Sequence, residues 1–228
     1  MVRATRMSST QTQSAYELIK AAILSCNYAP GQRLRINDIA SEAEVSLGAV
    51  REALARLSAE GMAVSTAQKG YTVPAVSSED LVNLTRTRIF IESECLAQSV
   101  AGLTIEMETL IVAAHHRLLR IPERNPGDVT RINPKWVDAH EVFHNSLVMG
   151  CANEWLLRIR TLLYQHSERY RALSVPLARQ QRNVNEEHQA IFDAVLSRNA
   201  KSAQQLMADH LQRTTDIIVE SGIVEKAG

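Results

Sequence analysis

Pro74 divides the chain into two stretches whose apolar patterns demand different folds. Before it, every element is short. SAYELIKAAILSC (14–26) has helical spacing, with Leu18, Ile19, Ala22 and Ile23 on one side. NYAPG (27–31) breaks that helix. INDIASEA (36–43) reads as a short second helix, and EVS as a tight turn. LGAVREALARLSAEG (47–61) reads as a longer third helix, with Val50, Leu54 and Leu57 inward and Gly61 at its C-terminal end. AVST and YTVPA are β-prone runs joined by AQKG, a predicted hairpin. Helix, helix, turn, helix, hairpin is the order of a winged helix-turn-helix, which sets its recognition helix in the DNA major groove.

After Pro74 the pattern is helical. Ser77 and Asp80 in SSED make a capping box. The spacing predicts helices at about 78–101, 104–120, 134–150, 153–171, 179–198 and 200–221. Breaks fall at Gly102, at IPERNPGD (121–128), at Gly150 and at Pro176. Six helices with no strand signal predict an antiparallel bundle. The expected fold is mainly α: a flexible arm at 1–13, a winged helix-turn-helix at 14–75 and an all-helical bundle at 76–228.

Composition narrows the partners only a little. Lys plus Arg equals Asp plus Glu, 25 each, so global charge selects no partner. Aromatics at 4% argue against a stacking platform for single-stranded nucleic acid. Cys26, Cys95 and Cys151 are scattered and contain no CxxC pair, which argues against a disulfide framework and fits a reducing cytosol. MVRATRMSSTQTQ lacks the apolar core of a secretory signal, and no apolar run reaches membrane-spanning length. A cytoplasmic location without a membrane partner is expected.

DNA docking needs small or polar residues at the start of the recognition helix, cations for phosphates and a basic wing tip. Ser46, Leu47 and Gly48 open the predicted helix, Arg51 follows one turn on, and Lys69-Gly70 occupies the wing tip. Residues 1–75 carry eight Lys/Arg and six Asp/Glu, a net of +2, a weak electrostatic footprint. Each residue has a plainer reading. Arg51 can pair with Glu52 or Glu60, Gly48 can be a poor helix residue, and Lys69 a solvated turn lysine.

APGQRLRINDIASEAEVSLGAVREALARLSAEGMAVSTAQKGYTV resembles the DNA-binding domain of the GntR superfamily of bacterial transcription regulators. PGxxL, the IA of the second helix, VSxxxVREALxRLxxEG and the KG wing carry the match. The resemblance implies that Asn37, Ser46, Leu47, Gly48, Arg51, Lys69 and Gly70 face a double-stranded operator. Many relatives carry Ser-Arg-Thr-Pro where this chain has Ser46-Leu47-Gly48-Ala49. Arg is the commonest guanine reader and Leu47 cannot replace it, so a different operator is expected.

DAHEVFHNSL (138–147) contains HEVFH, the HExxH pattern of zinc peptidases. A peptidase would hold zinc through His140 and His144 and use Glu141 as base. The continuation HNSLVMG lacks the metzincin spacing, and Glu168, the one candidate glutamate downstream, lies in SERYR, which reads as surface. His188 and His210 also sit beside inward apolar residues, whereas His115, His116 and His166 have more polar neighbours. Four histidines from three helices can converge on a metal inside a bundle. Hydrogen-bonded core histidines are the plainer alternative for His188 and His210.

A second resemblance covers 77–221. TRIFIE (87–92), FHNSLVMGCAN (143–153), EEHQAIFDAV (186–195) and AQQLMADHL (203–211) resemble the FCD effector domain of the FadR-like branch. The resemblance implies a divalent cation held by Asp-x-x-x-His, His and His. His144, His188 and His210 match, and His140 replaces the Asp, which leaves four imidazoles and one negative charge fewer. Imidazoles suit Zn or Ni better than Mg or Ca. The resemblance further implies a homodimer on an inverted-repeat operator and a small organic acid effector. Arg88 matches a family arginine that could clamp a carboxylate, or it pairs with Glu92 four residues on. The HxxFH variant is most similar to carbon-starvation regulators that respond to glutarate. The expected function is a ligand-responsive repressor, not an enzyme, with the zinc peptidase and a purely structural metal as rivals.

Overall fold

The computed structural model describes residues 2–67, 70–174 and 182–224. The chain divides into two compact units between Ser77 and Ser78. The first contains α1 (Val2–Leu24), β1 (Arg33–Leu34), α2 (Ile36–Glu42), α3 (Leu47–Ala59), β2 (Val64–Thr66) and β3 (Gly70–Thr72). The side chain of Ser46 caps α3 by accepting from the Ala49 N–H at 3.2 Å. Glu44 (φ 53°) makes the turn into α3, and Gly61 (φ 72°) ends it in the left-handed conformation that glycine adopts without strain. Tyr16, Ile19 and Ile23 of α1 bury against Val50, Leu54 and Leu57 of α3, with Leu34, Ile39, Met62 and Val73 closing the core. These positions recur at three- and four-residue steps, which put them on one face of each helix.

The hairpin expected at 63–75 is present: β2 and β3 are antiparallel, with Val64 opposite Thr72 and Ser65 opposite Tyr71. β1 was not anticipated; it adds Arg33 and Leu34 to the other edge of β3. The arm expected at 1–13 is a correction, because residues 2–13 continue α1. No Pro or Gly interrupts them. Their C-terminal end is tied to α3: Ser46 N–H donates to Gln11 Oε1 (3.4 Å), Thr12 to Glu52 (2.8 Å) and Arg56 to Gln13 (3.1 Å).

The second unit contains α4 (Ser78–Ala101), α5 (Ile105–Leu119), β4 (Arg124–Asn125), β5 (Asp128–Ile132), α6 (Pro134–Ser146), α7 (Glu154–Ser174), α8 (Val184–Leu196) and α9 (Ala200–Glu220). Thr104, Asn133, Asn183 and Asn199 cap α5, α6, α8 and α9. α4 packs against α7 and α9, α5 against α6 and α8, and α8 against α9. Cys95, Leu96, Ile111, Leu118, Phe143, Leu147, Ile191 and Met207 fill the centre. A Cβ on Gly150 would lie 2.4 Å from the Ser99 carbonyl oxygen, so only glycine lets the α6–α7 turn approach α4 this closely.

The expectation of no strand after Pro74 is overturned by a two-stranded ribbon, β4 paired with β5. Its turn is Asn125-Pro126-Gly127-Asp128, in which Asn125 Oδ1 accepts from the Gly127 N–H (2.9 Å). The helix expected from 134 to 150 ends at Ser146. The helix expected from 179 begins, within the described residues, at Val184; positions 179–181 and the break at Pro176 lie outside them.

Candidate functional site

Two helices and a turn of a third bring four histidines together. His140 and His144 lie one turn apart on α6, so both point to one side. His188 comes from α8 and His210 from α9. One ring nitrogen from each falls within 4.8 Å of all the others, and all four residues are buried. The structure brings together all four histidines singled out in the sequence, of which spacing alone tied only His140 to His144.

The nitrogens show how the cluster is prepared. His140 Nδ1 faces the Tyr164 hydroxyl at 3.2 Å, and Trp136 stacks on the His140 ring at 4.5 Å. His210 Nδ1 lies 2.8 Å from Glu187 Oε2. Both nitrogens of His144 and both of His188 are buried without a hydrogen-bond partner among the described residues. An unsatisfied buried polar group costs about 1–3 kcal/mol, so these orphans point to a ligand. Burial lowers the pKa of His140, His144 and His188 well below the ordinary imidazole value, and mutual repulsion adds to it. Burial lowers that of His210 too, opposed by its bond to Glu187. Four neutral imidazoles facing one another have the charge state a transition metal requires. They could hold such an ion, and the donor set fits one.

Beside the cluster lies a cavity of about 30 Å³ bordered by Thr85, Arg88, His140, Arg171, His210 and Thr215. That is room for about one water, so a larger molecule must displace side chains. Both readings of Arg88 find support: it borders the cavity, and it donates to Glu92 Oε1 at 3.4 Å. Glu92 is completely buried and accepts a shorter bond, 2.7 Å, from Arg160. Arg160 in turn donates to Asn145 (2.7 Å) and to the His144 carbonyl (2.9 Å).

Three expectations about neighbouring residues are corrected. Glu168 and Arg169 are buried, not on the surface. Glu168 pairs with Arg171 and is absent from the histidine cluster, so it offers no third peptidase ligand. His115 is buried between Phe143 and Phe192, its ring stacked on Phe192 at 4.3 Å. Tyr164, Trp136 and Glu187 were missed; the only advance signal was Glu187 preceding His188 in EEH.

Glu141 is exposed, as its position beside an inward His140 requires. A zincin base must face the metal-bound water. Glu141→Gln is therefore expected to leave metal content and DNA binding unchanged, measured by elemental analysis and fluorescence anisotropy. Wild-type peptidase activity that vanishes in this variant would reverse that assignment.

In the first unit, Ser46, Leu47, Gly48 and Arg51 are exposed on the opening turns of α3, and Asn37 is exposed on α2. A Cβ on Gly48 would meet only Ser46 Oγ, at 3.9 Å. Glu52 and Glu60, the suspected partners of Arg51, are instead bonded by Thr12 and by Tyr16 and Arg56. Gly70 begins β3 with φ 84°. Lys69 lies outside the described residues.

A winged helix-turn-helix followed by a helical unit with an inward histidine cluster defines a DNA-binding regulator with a ligand-type domain. The model described as "Bacterial regulatory proteins, gntR family" matches residues 11–73, and "FCD domain" matches 83–213. The chain belongs to the GntR family of transcription regulators, with an FCD domain, and is not an enzyme. It is 35% identical to the HTH-type transcriptional regulator BphR of Paraburkholderia xenovorans, over 93% of this chain and 86% of that protein. It is 29% identical to the HTH-type transcriptional repressor GlaR of Escherichia coli, over 90% and 94%. Its fold is similar to that of E. coli McbR/YncC, with a TM-score of 0.78 at 18% identity, covering 92% of this chain and 98% of that one. Among the described residues, no helix is long and apolar enough to cross a membrane.

Proposed function

We propose that the chain is a cytoplasmic, homodimeric repressor that releases or tightens on its operator when a small carboxylate binds beside a metal. The observation carrying this reading is the buried four-histidine cluster with Arg88 bordering the adjoining cavity. His140, His144, His188 and His210 would hold zinc or nickel. The ion would offer a Lewis-acidic position for a carboxylate oxygen. Arg88 would take the other end, exchanging its long bond to Glu92 for the effector. Glutarate is the first acid to test.

The operator would be an inverted repeat read by α3. Asn37, Ser46, Leu47, Gly48 and Arg51 would face it, with Lys69 and Gly70 at the wing. Arg51→Ala is expected to weaken binding and to lower the salt slope by about one unit if the lost contact is to phosphate. Gly48→Ala has room in the free protein and replaces a poor helix residue, so it is expected to keep or slightly raise the melting temperature while weakening operator binding through closer steric contact. Anisotropy titrations at matched salt, on the DNA upstream of the gene, check both. Wild-type affinity in both variants would show that α3 does not enter the groove.

The test of the whole reading is a titration of metal-loaded and metal-stripped protein with glutarate and related acids on that DNA. Affinity that changes only with acid and metal together supports it. Affinity indifferent to every acid would reduce the metal to a structural role.

A further inference from the structure

We infer that Glu187 is a positioning residue: its carboxylate fixes the tautomer and ring orientation of His210 so that Nε2 faces the other three histidines. The inference rests on the proposed metal reading and deepens it. An ionised carboxylate can only accept, so the 2.8 Å contact from Oε2 to His210 Nδ1 puts the hydrogen on Nδ1. The lone pair is then left on Nε2. Arg182 Nη2 also lies 3.3 Å from Nδ1, but a guanidinium only donates and cannot share a protonated nitrogen. That Nη2 is already committed to Glu187 Oε2 (2.7 Å) and to the His210 carbonyl (3.0 Å).

The carboxylate is itself held on every side. Arg182 donates to it twice, Nε to Oε1 (2.9 Å) and Nη2 to Oε2 (2.7 Å), and Arg213 donates to Oε1 at 3.2 Å. Arg182 Nη1 also donates to Thr214 on α9, one turn beyond His210. One turn of α8 therefore supplies one imidazole directly, through His188, and aligns a second across the helix interface. None of the four ring-bearing residues carries negative charge, and among the described residues Glu187 is a carboxylate hydrogen-bonded to one of them. Carboxylate–histidine pairs of this kind raise ligand basicity, and their loss typically weakens a metal site about 10–100-fold.

The test uses the full chain, Zn²⁺ alone as probe, and Glu187→Gln and Glu187→Ala. Zinc dissociation constants come from competition with a chromophoric chelator. Melting is followed with and without zinc, and long-range ¹H–¹⁵N spectra of the metal-free protein report the His210 tautomer. Wild type should show His210 as Nδ1–H. Both variants should bind zinc about 10–100-fold more weakly and show a smaller zinc-induced rise in melting temperature. Arg213→Ala removes a more exposed partner of the same carboxylate and should keep the wild-type constant within about threefold, against the 10–100-fold loss above. A merely structural salt bridge predicts a different pattern: lower melting with and without zinc, by equal amounts, and an unchanged constant. That pattern, or a Glu187→Gln constant within twofold of wild type, overturns the inference. Wild type that binds no zinc overturns the metal reading itself, so the two failures are distinct.

Discussion

Glu92→Gln is expected to destabilise the helical unit by about 3–5 kcal/mol, the cost of leaving buried charge without its partner. Glu92 is fully buried, and Arg160 and Arg88 are 2% and 6% exposed. One carboxylate therefore serves two guanidiniums far from solvent, through Oε2 to Arg160 and Oε1 to Arg88. The amide keeps the volume and one acceptor but removes the carboxylate charge that both arginines contact. Arg160 is bound in turn to Asn145 and to the His144 carbonyl, so its displacement would reach the α6 segment that carries the cluster. Urea unfolding of the full chain should show the transition of this unit moved and that of the winged unit unmoved. A change below about 1 kcal/mol would mean water screens the network as it screens a surface pair.

The same network bears on the second role proposed for Arg88. Arg160 holds Glu92 at 2.7 Å, whereas Arg88 reaches it only at 3.4 Å. Arg88 can therefore leave Glu92 for an arriving carboxylate while Glu92 keeps its stronger partner. The exchange trades one charge-assisted bond for another and exposes no unpaired charge.

Which parts of this were legible in the sequence follows from the range of the interactions involved. The winged unit is built from local signals: Ser46 as a cap, Gly61 as a helix stop, and β-prone runs on either side of AQKG. The bundle helices follow from spacing, with ends set by Thr104, Asn133 and Asn199. The β4–β5 ribbon was hidden because Asn125-Pro126-Gly127 reads equally well as a plain helix break. SERYR read as surface because four of its five residues are polar or charged. The pairs Glu168–Arg171 and Tyr170–Asp80 are what allow it to be buried. Spacing could show that His140 and His144 share a face. Only the family resemblance joined them to His188 and His210, and nothing in one dimension ties Tyr164 to His140 or Glu187 to His210.

The double variant His144→Ala/His188→Ala is expected to purify without stoichiometric metal. These two side chains have no other hydrogen-bond partner among the described residues, so metal binding is the role that explains their burial. Two imidazoles remain, His140 held by Tyr164 and His210 by Glu187, too few to close a site. A metal that binds the folded bundle alone would, at a hundredfold excess over its dissociation constant, add about 2.7 kcal/mol. Wild type should therefore melt higher with metal than after chelation, and the variant should melt the same with and without it. The pH dependence has a definite sign. The folded pKa values are lowered, so the neutral imidazoles contribute fully above the unfolded value of about 6.5. That contribution is lost as pH falls from there toward the folded values, and metal affinity falls with it, because protonated imidazole cannot coordinate. The variant should show a weaker decline. It should also lose any response to a carboxylate effector, while the separately cored winged unit still binds operator DNA. Full metal occupancy in the double variant by elemental analysis would show that the four histidines are not the site.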